Sequence, residues 1–166
     1  MIITAPETLT LKRVNGVVPR SVFLAGSIEM GVAEDWQTKV GKYLDDRKVT
    51  VFNPRRIAWD SSWKQEKSNP QFFEQVSWEL AALEMASCIF LYFDPATKSP
   101  ISLLELGIFA HSEKLIVGCP DGFYRKGNVD IVCERYGIPF FTGTNKEVIN
   151  DMLKFVPYII GEVRHV

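Results

Sequence analysis

The sequence has 166 residues and a formal net charge of −1, with 46% hydrophobic and 23% charged residues. That length fits one domain, able to bury roughly 70% of the surface its unfolded chain exposes, and the mixture argues against wholesale disorder. Near-neutral charge argues against a protein built to bind a nucleic-acid polymer, which usually carries a basic footprint; the cationic pairs Lys12-Arg13, Arg55-Arg56 and Arg125-Lys126 read as solvated surface.

Residues 1–20 read as an N-terminal arm or edge segment closed near Pro19, and residues 21–166 as a single domain. Ser21 to Ala25 is an apolar run stopped by Gly26-Ser27, the pattern of a buried strand and a turn. Trp36, Val40, Tyr43 and Leu44 recur at helical spacing and predict a helix over 35–46. Residues 49–52 read as the second strand, ended by Asn53-Pro54. The polar stretch 54–69 is long for a loop and holds Trp59 and Trp63, which makes it a candidate substrate lid. Pro70 suits a helical first turn, where its missing N–H costs nothing, and that helix is expected to run to about Ser87.

Residues 88–93 form an apolar run without alternation, as in a central strand covered on both faces. A helix is expected over 101–112, starting near Ser102, then a strand at 115–118 and a short helix at 126–136. A strand at 139–141 and a last helix from Lys146 to about Tyr158 complete the pattern. Strands alternating with helices predict a parallel sheet with helices on both faces, an α/β/α layering.

The N-terminus lacks the charged and apolar regions of a secretory signal, and the longest apolar run is too short to cross a bilayer. A soluble protein in the reducing cytoplasm is therefore expected. Three cysteines cannot all pair, and Cys119, Cys133 and His111 lack the spacing of a zinc site. No metal and no organic cofactor is expected.

In open α/β folds, ligands bind beyond the carboxyl ends of the strands at the topological switch point. That rule brings forward Gly26, Ser27, Asn53, Arg55, Arg56 and Trp59 as substrate contacts. Asp94, Ser99 and Asn128 join them from later loops. Gly26-Ser27 is equally an ordinary turn. Glu105 is expected in the first turn of its helix, where the macrodipole favours an anion; Ser102 and Glu105 also have the spacing of a capping box. Glu79 precedes the central strand and reads either as a crevice residue or as a solvent-facing glutamate. Two carboxylates at one crevice suit chemistry at an anomeric carbon, one attacking and the other moving a proton. Trp36 and Trp78 read as core packing.

Phe23-Leu24-Ala25-Gly26-Ser27-Ile28, Phe52-Asn53-Pro54-Arg55-Arg56 with Trp59, and Ser99 to Gly107 with its Glu105-Leu106-Gly107 resemble the nucleoside 2-deoxyribosyltransferase superfamily. The likeness is closest to its deoxyribosyltransferase-like branch, and Gly127-Asn128 followed by residues 131–136 also looks like it. The resemblance covers roughly residues 21–140. It implies a flavodoxin-like, Rossmann-like three-layer fold with a five-stranded parallel sheet in the order 2-1-3-4-5. It also implies that Glu105 attacks C1′ of a nucleoside and holds the sugar covalently, while Glu79 manages the proton of the base. Gly26 and Ser27 match the turn that faces the sugar or a 5′-phosphate, and Arg55 and Arg56 sit where such a phosphate would be met.

The sugar would pass to a second base or, in hydrolytic relatives, to water; a nucleotide sensor without turnover is the non-enzymatic alternative. One departure stands out, because transferases often carry Asp-Gly where this sequence has Ser99-Pro100. The partners so implied are a small nucleoside or nucleotide, a free nucleobase and further copies of the chain, with no nucleic-acid polymer and no membrane.

Overall fold

The computed structural model describes residues 1–11, 16, 18–28, 35–56, 60 and 62–161. Its elements are β1 (Ile2–Thr4), β2 (Ser21–Gly26), α1 (Trp36–Asp45), β3 (Thr50–Asn53), α2 (Pro70–Met85) and β4 (Cys88–Tyr92). They continue as α3 (Pro100–Phe109), β5 (Leu115–Gly118), α4 (Lys126–Tyr136), β6 (Phe140–Phe141) and α5 (Asn145–Ile159).

All pairings in the sheet are parallel. Period-two alternation sends Val22 and Leu24 to one face and Phe23 and Ala25 to the other. Tyr92 and Phe90 pack with α1 and α5, while Ile89 and Leu91 pack with α2, α3 and α4. Helices therefore cover both faces, which explains why the central strands read as unbroken apolar runs. Trp36 stacks on Phe90 at 5.7 Å, and Trp78 lies 6.5 Å from Phe23 while donating to the Glu7 carbonyl at 2.7 Å. Both are core residues.

The expected five-stranded sheet of order 2-1-3-4-5 is corrected to six strands in the order β1-β3-β2-β4-β5-β6. The difference is β1, an edge strand aligned through Ile2 with Val51 and Ile3 with Phe52. Three residues are too few to display an alternating pattern, and the pairing runs through backbone groups that any sequence offers. The expected start of α3 near Ser102 is also corrected. The helix begins at Pro100, so Ser102 is not its N-cap and Glu105 lies in the second turn. Ser99 takes the N-cap place in a left-handed conformation, with φ of 45°. In α5 the N-cap is Thr144, in a capping box with Glu147.

The strand order places β3 and β4, successive in the chain, on opposite sides of β2, so the crevice opens between the ends of β2 and β4. There Gly26 has φ of +134°, and a Cβ on it would sit 2.1 Å from the Tyr92 carbonyl oxygen. The adjacent Ser27 N–H donates to that same oxygen at 3.0 Å. Any side chain at position 26 would force the two strand ends apart. Gly26→Ala is therefore expected to destabilise the chain by about 3 kcal/mol or more, read as a lower midpoint in urea denaturation; an unchanged midpoint would contradict the close approach.

Candidate active site

Ser27 is 1% exposed, and its hydroxyl organises the loop that follows β4. Its Oγ accepts from the Asp94 N–H at 2.8 Å and bonds the hydroxyls of Thr97, at 2.8 Å, and Ser99. Thr97 and Ser99 close the triangle at 2.7 Å, and Thr97 donates to the Asp94 carbonyl at 2.9 Å. Asp94 Oδ1 accepts the Ala96 N–H at 2.8 Å. Three buried hydroxyls thus satisfy one another, as buried polar groups must. Ser27, Asp94 and Ser99 are brought together as a scaffold that pins one side of the crevice. The indole of Trp36 adds a bond to the Ser27 carbonyl at 3.1 Å.

The opposite wall comes from the end of β3. Asn53 Oδ1 accepts the Arg55 N–H at 3.0 Å, and the Arg55 guanidinium meets Asp35, the N-cap of α1, at 3.2 Å. Arg56 turns the other way. It pairs with Glu74 at 2.8 Å and lies 5.1 Å from the Trp63 ring centroid. Each arginine has a carboxylate partner, and both carboxylates are about half exposed, so these bridges hold only weakly.

Glu79 lies on α2 and Glu105 on α3. Glu105 is 9% exposed, and its carboxyl is pushed up to about 8, first by burial and then by the negative charge of Glu79. Burial also raises Glu79, against the opposing effect of a hydrogen bond from Gln75 Nε2 at 2.8 Å. The structure therefore brings these two glutamates into electrostatic contact, which the sequence spacing did not establish. Two like charges drawn out of water resist ionising together, and the larger rise falls on Glu105, the more buried of the two.

Residues 19–123 match the family model described as nucleoside 2-deoxyribosyltransferase like, over more than half of the chain. The chain belongs to this nucleoside 2-deoxyribosyltransferase-like family. A search against curated proteins finds no match. In this deoxyribosyltransferase-like chain the matched span takes in both walls of the crevice and both glutamates, whereas Asn128 lies beyond it. Asn128 is exposed on α4, with no side-chain bond to the other candidates among the described residues. Trp59 lies outside the described residues. Thr97 and Gln75 were not singled out from the sequence, although Gln75 stands four residues before Glu79, the spacing at which helical side chains meet.

Burial pushes the thiols of Cys88, Cys119 and Cys133 up to about 12, far from thiolate chemistry at neutral pH. Among the described residues no group of three His, Cys, Asp or Glu is placed to hold a metal ion. No helix among them is long and apolar enough to cross a membrane.

The Glu105 shift has a consequence for stability. The folded chain holds a proton on Glu105 up to about pH 8, whereas the unfolded chain releases it near 4.5. Between those values the folded state binds more protons, so stability is fully present below about 4.5 and declines as pH rises through about 8. The slope reaches at most about 1.4 kcal/mol per pH unit. Urea denaturation at pH 5.5 and 8.5 is expected to show this decline in the wild type and a flatter profile in Glu105→Gln. Equal slopes in the two proteins would contradict the shift.

Proposed function

We propose that this chain is an N-glycosidic bond-cleaving pentosyltransferase, acting on a (deoxy)nucleoside or nucleoside monophosphate through a covalent glycosyl–Glu105 intermediate and passing the sugar to another base. One observation carries the reading: Glu105 of α3 is buried close enough to Glu79 of α2 for the charge of Glu79 to raise it. Family membership supplies the substrate class.

In this scheme Glu105 must be ionised to attack C1′ and Glu79 must hold the proton. Burial by itself favours the reverse, because Glu105 is the more buried carboxyl. With a nucleoside seated so that C1′ lies against Glu105, the Glu105 proton passes to Glu79, and the positive charge that develops at C1′ as the bond to the base weakens favours the ionised Glu105. The bond from Glu105 oxygen to C1′ forms as the bond from C1′ to the base nitrogen breaks. The electron pair stays on the base, which takes the proton of Glu79. An incoming base then reverses these steps, giving retention after two inversions.

Passage of the sugar to water is the hydrolytic version of the same chemistry. A nucleotide-binding module without turnover is the competing reading. It is favoured by the loop over 94–99, whose hydroxyls are engaged with one another and whose Ser99-Pro100 replaces an acidic sugar contact.

The test incubates the chain with 2′-deoxynucleosides, or their 5′-monophosphates, and a free acceptor base, and follows the products by chromatography. Exchange is expected in the wild type. It should fall by at least about 10³-fold in Glu105→Ala and by about 10²–10⁴-fold in Glu79→Gln. Activity surviving in Glu105→Ala overturns its role, free base without exchange selects hydrolysis, and binding without product selects the sensor.

A further inference from the structure

Gln75 lies one helical turn before Glu79 on α2 and is 3% exposed. Its Nε2 donates to two acceptors at once, the Pro54 carbonyl at 2.9 Å and Glu79 Oε1 at 2.8 Å. Its own Oε1 is sealed from solvent and meets no donor among the described residues. Leaving a buried carbonyl unpaired is costly, so the amide would turn over if the turned form were better paired. It is not, because turning would press Oε1 against the Pro54 carbonyl, which has no hydrogen to give in any protonation state. Pro54, and not Glu79, therefore fixes the amide. The orientation is the same whether Glu79 is ionised or neutral.

We propose that Gln75 is a positioning residue: by keeping Glu79 Oε1 a permanent acceptor, it places the proton that Glu79 carries on Oε2. The inference rests on the reading of Glu79 as the group that moves the proton of the base. When the C1′–nitrogen bond breaks, the proton leaves Oε2 for the base nitrogen, and the negative charge left on Glu79 is met at Oε1 by the Gln75 N–H. On transfer, the incoming base returns its proton to Oε2. A donor aimed at the ionised form stabilises that form, so Gln75 keeps a buried carboxyl acidic enough to let its proton go. The other charged groups facing Glu79 do not substitute for it. Glu105 approaches from α3 with the same sign, and Arg56, from the segment after β3, is paired with Glu74, five residues before Glu79 on α2. Because Pro54 directly follows Asn53, the same amide also ties the proton-moving side chain to the arginine-bearing wall.

The test follows the Glu79 carboxyl itself by ¹³C NMR titration, assigned by its loss in Glu79→Gln, in the full chain and in Gln75→Leu and Gln75→Met. Both variants are expected to keep the helical circular dichroism and to raise the Glu79 midpoint by about one pH unit or more, the difference between a hydrogen bond to a charged and to a neutral acceptor. The matching limb of the pH–activity profile should move in the same direction. An unmoved midpoint in a folded variant overturns the inference. If neither variant folds, the infrared band of the protonated Glu79 carbonyl in the wild type decides. A frequency lowered by an accepted hydrogen bond supports the role of Gln75, and the frequency of a free carboxyl overturns it. A shifted midpoint in a chain that turns over no nucleoside leaves the hold of Gln75 on Glu79 standing and removes the proposed reaction instead.

Discussion

Two carboxyl groups taken out of water beside each other resist ionising together, and the carboxyl edge of this sheet is built around that constraint. Glu79 and Glu105 come from different helices, on elements that enter and leave the central strand β4. Bringing them together requires β2 and β4 to be held at a fixed spacing, and Gly26 against the Tyr92 carbonyl sets it. It also requires the loop after β4 to stay put, and the hydroxyls of Ser27, Thr97 and Ser99 hold it. The cost of crowding the two acids is carried by the rest of the fold, whose central strands bury apolar side chains on both faces. A site held in an unfavourable charge arrangement by a rigid scaffold is what a reactive carboxylate needs.

The walls of the crevice divide the labour. On one side, groups satisfied among themselves give shape and leave little free to bind. On the other, Arg55 and Arg56 are paired with half-exposed carboxylates. Gln75 joins the second wall to Glu79 through two bonds from one amide nitrogen. A shift of the Pro54 segment would therefore also move the partner of Glu79.

Much of this was legible in the sequence, for physical reasons. Central strands covered on both faces must be apolar throughout, so residues 88–93 could be recognised; Pro70 and the Trp36 stripe marked their helices in the same way. The carboxyl-end rule then brought Gly26, Ser27, Asn53 and Glu105 forward before any geometry was known. What was not legible depended on backbone pairing or on three-dimensional convergence. Ile2–Thr4 joins the sheet through main-chain bonds that leave almost no pattern in three residues, so the strand count and order came out differently. Pro100 opens α3 from a left-handed Ser99, so the apparent capping box at Ser102 and Glu105 is not formed. That Glu79 comes near Glu105 depends on how α2 and α3 are placed on either side of β4 in the chain and not on spacing, whereas the hold of Gln75 on Glu79 follows the four-residue helical spacing.

The central claim is that Glu105 forms a bond to the sugar. Intact-protein mass spectrometry of the chain, acid-quenched after mixing with a 2′-deoxynucleoside and no acceptor base, tests it most directly. The account predicts an added deoxyribosyl mass, mapped by peptide digestion to Glu105 and absent in Glu105→Gln. Base exchange proceeding with no adduct, or with the added mass on another residue, would contradict it.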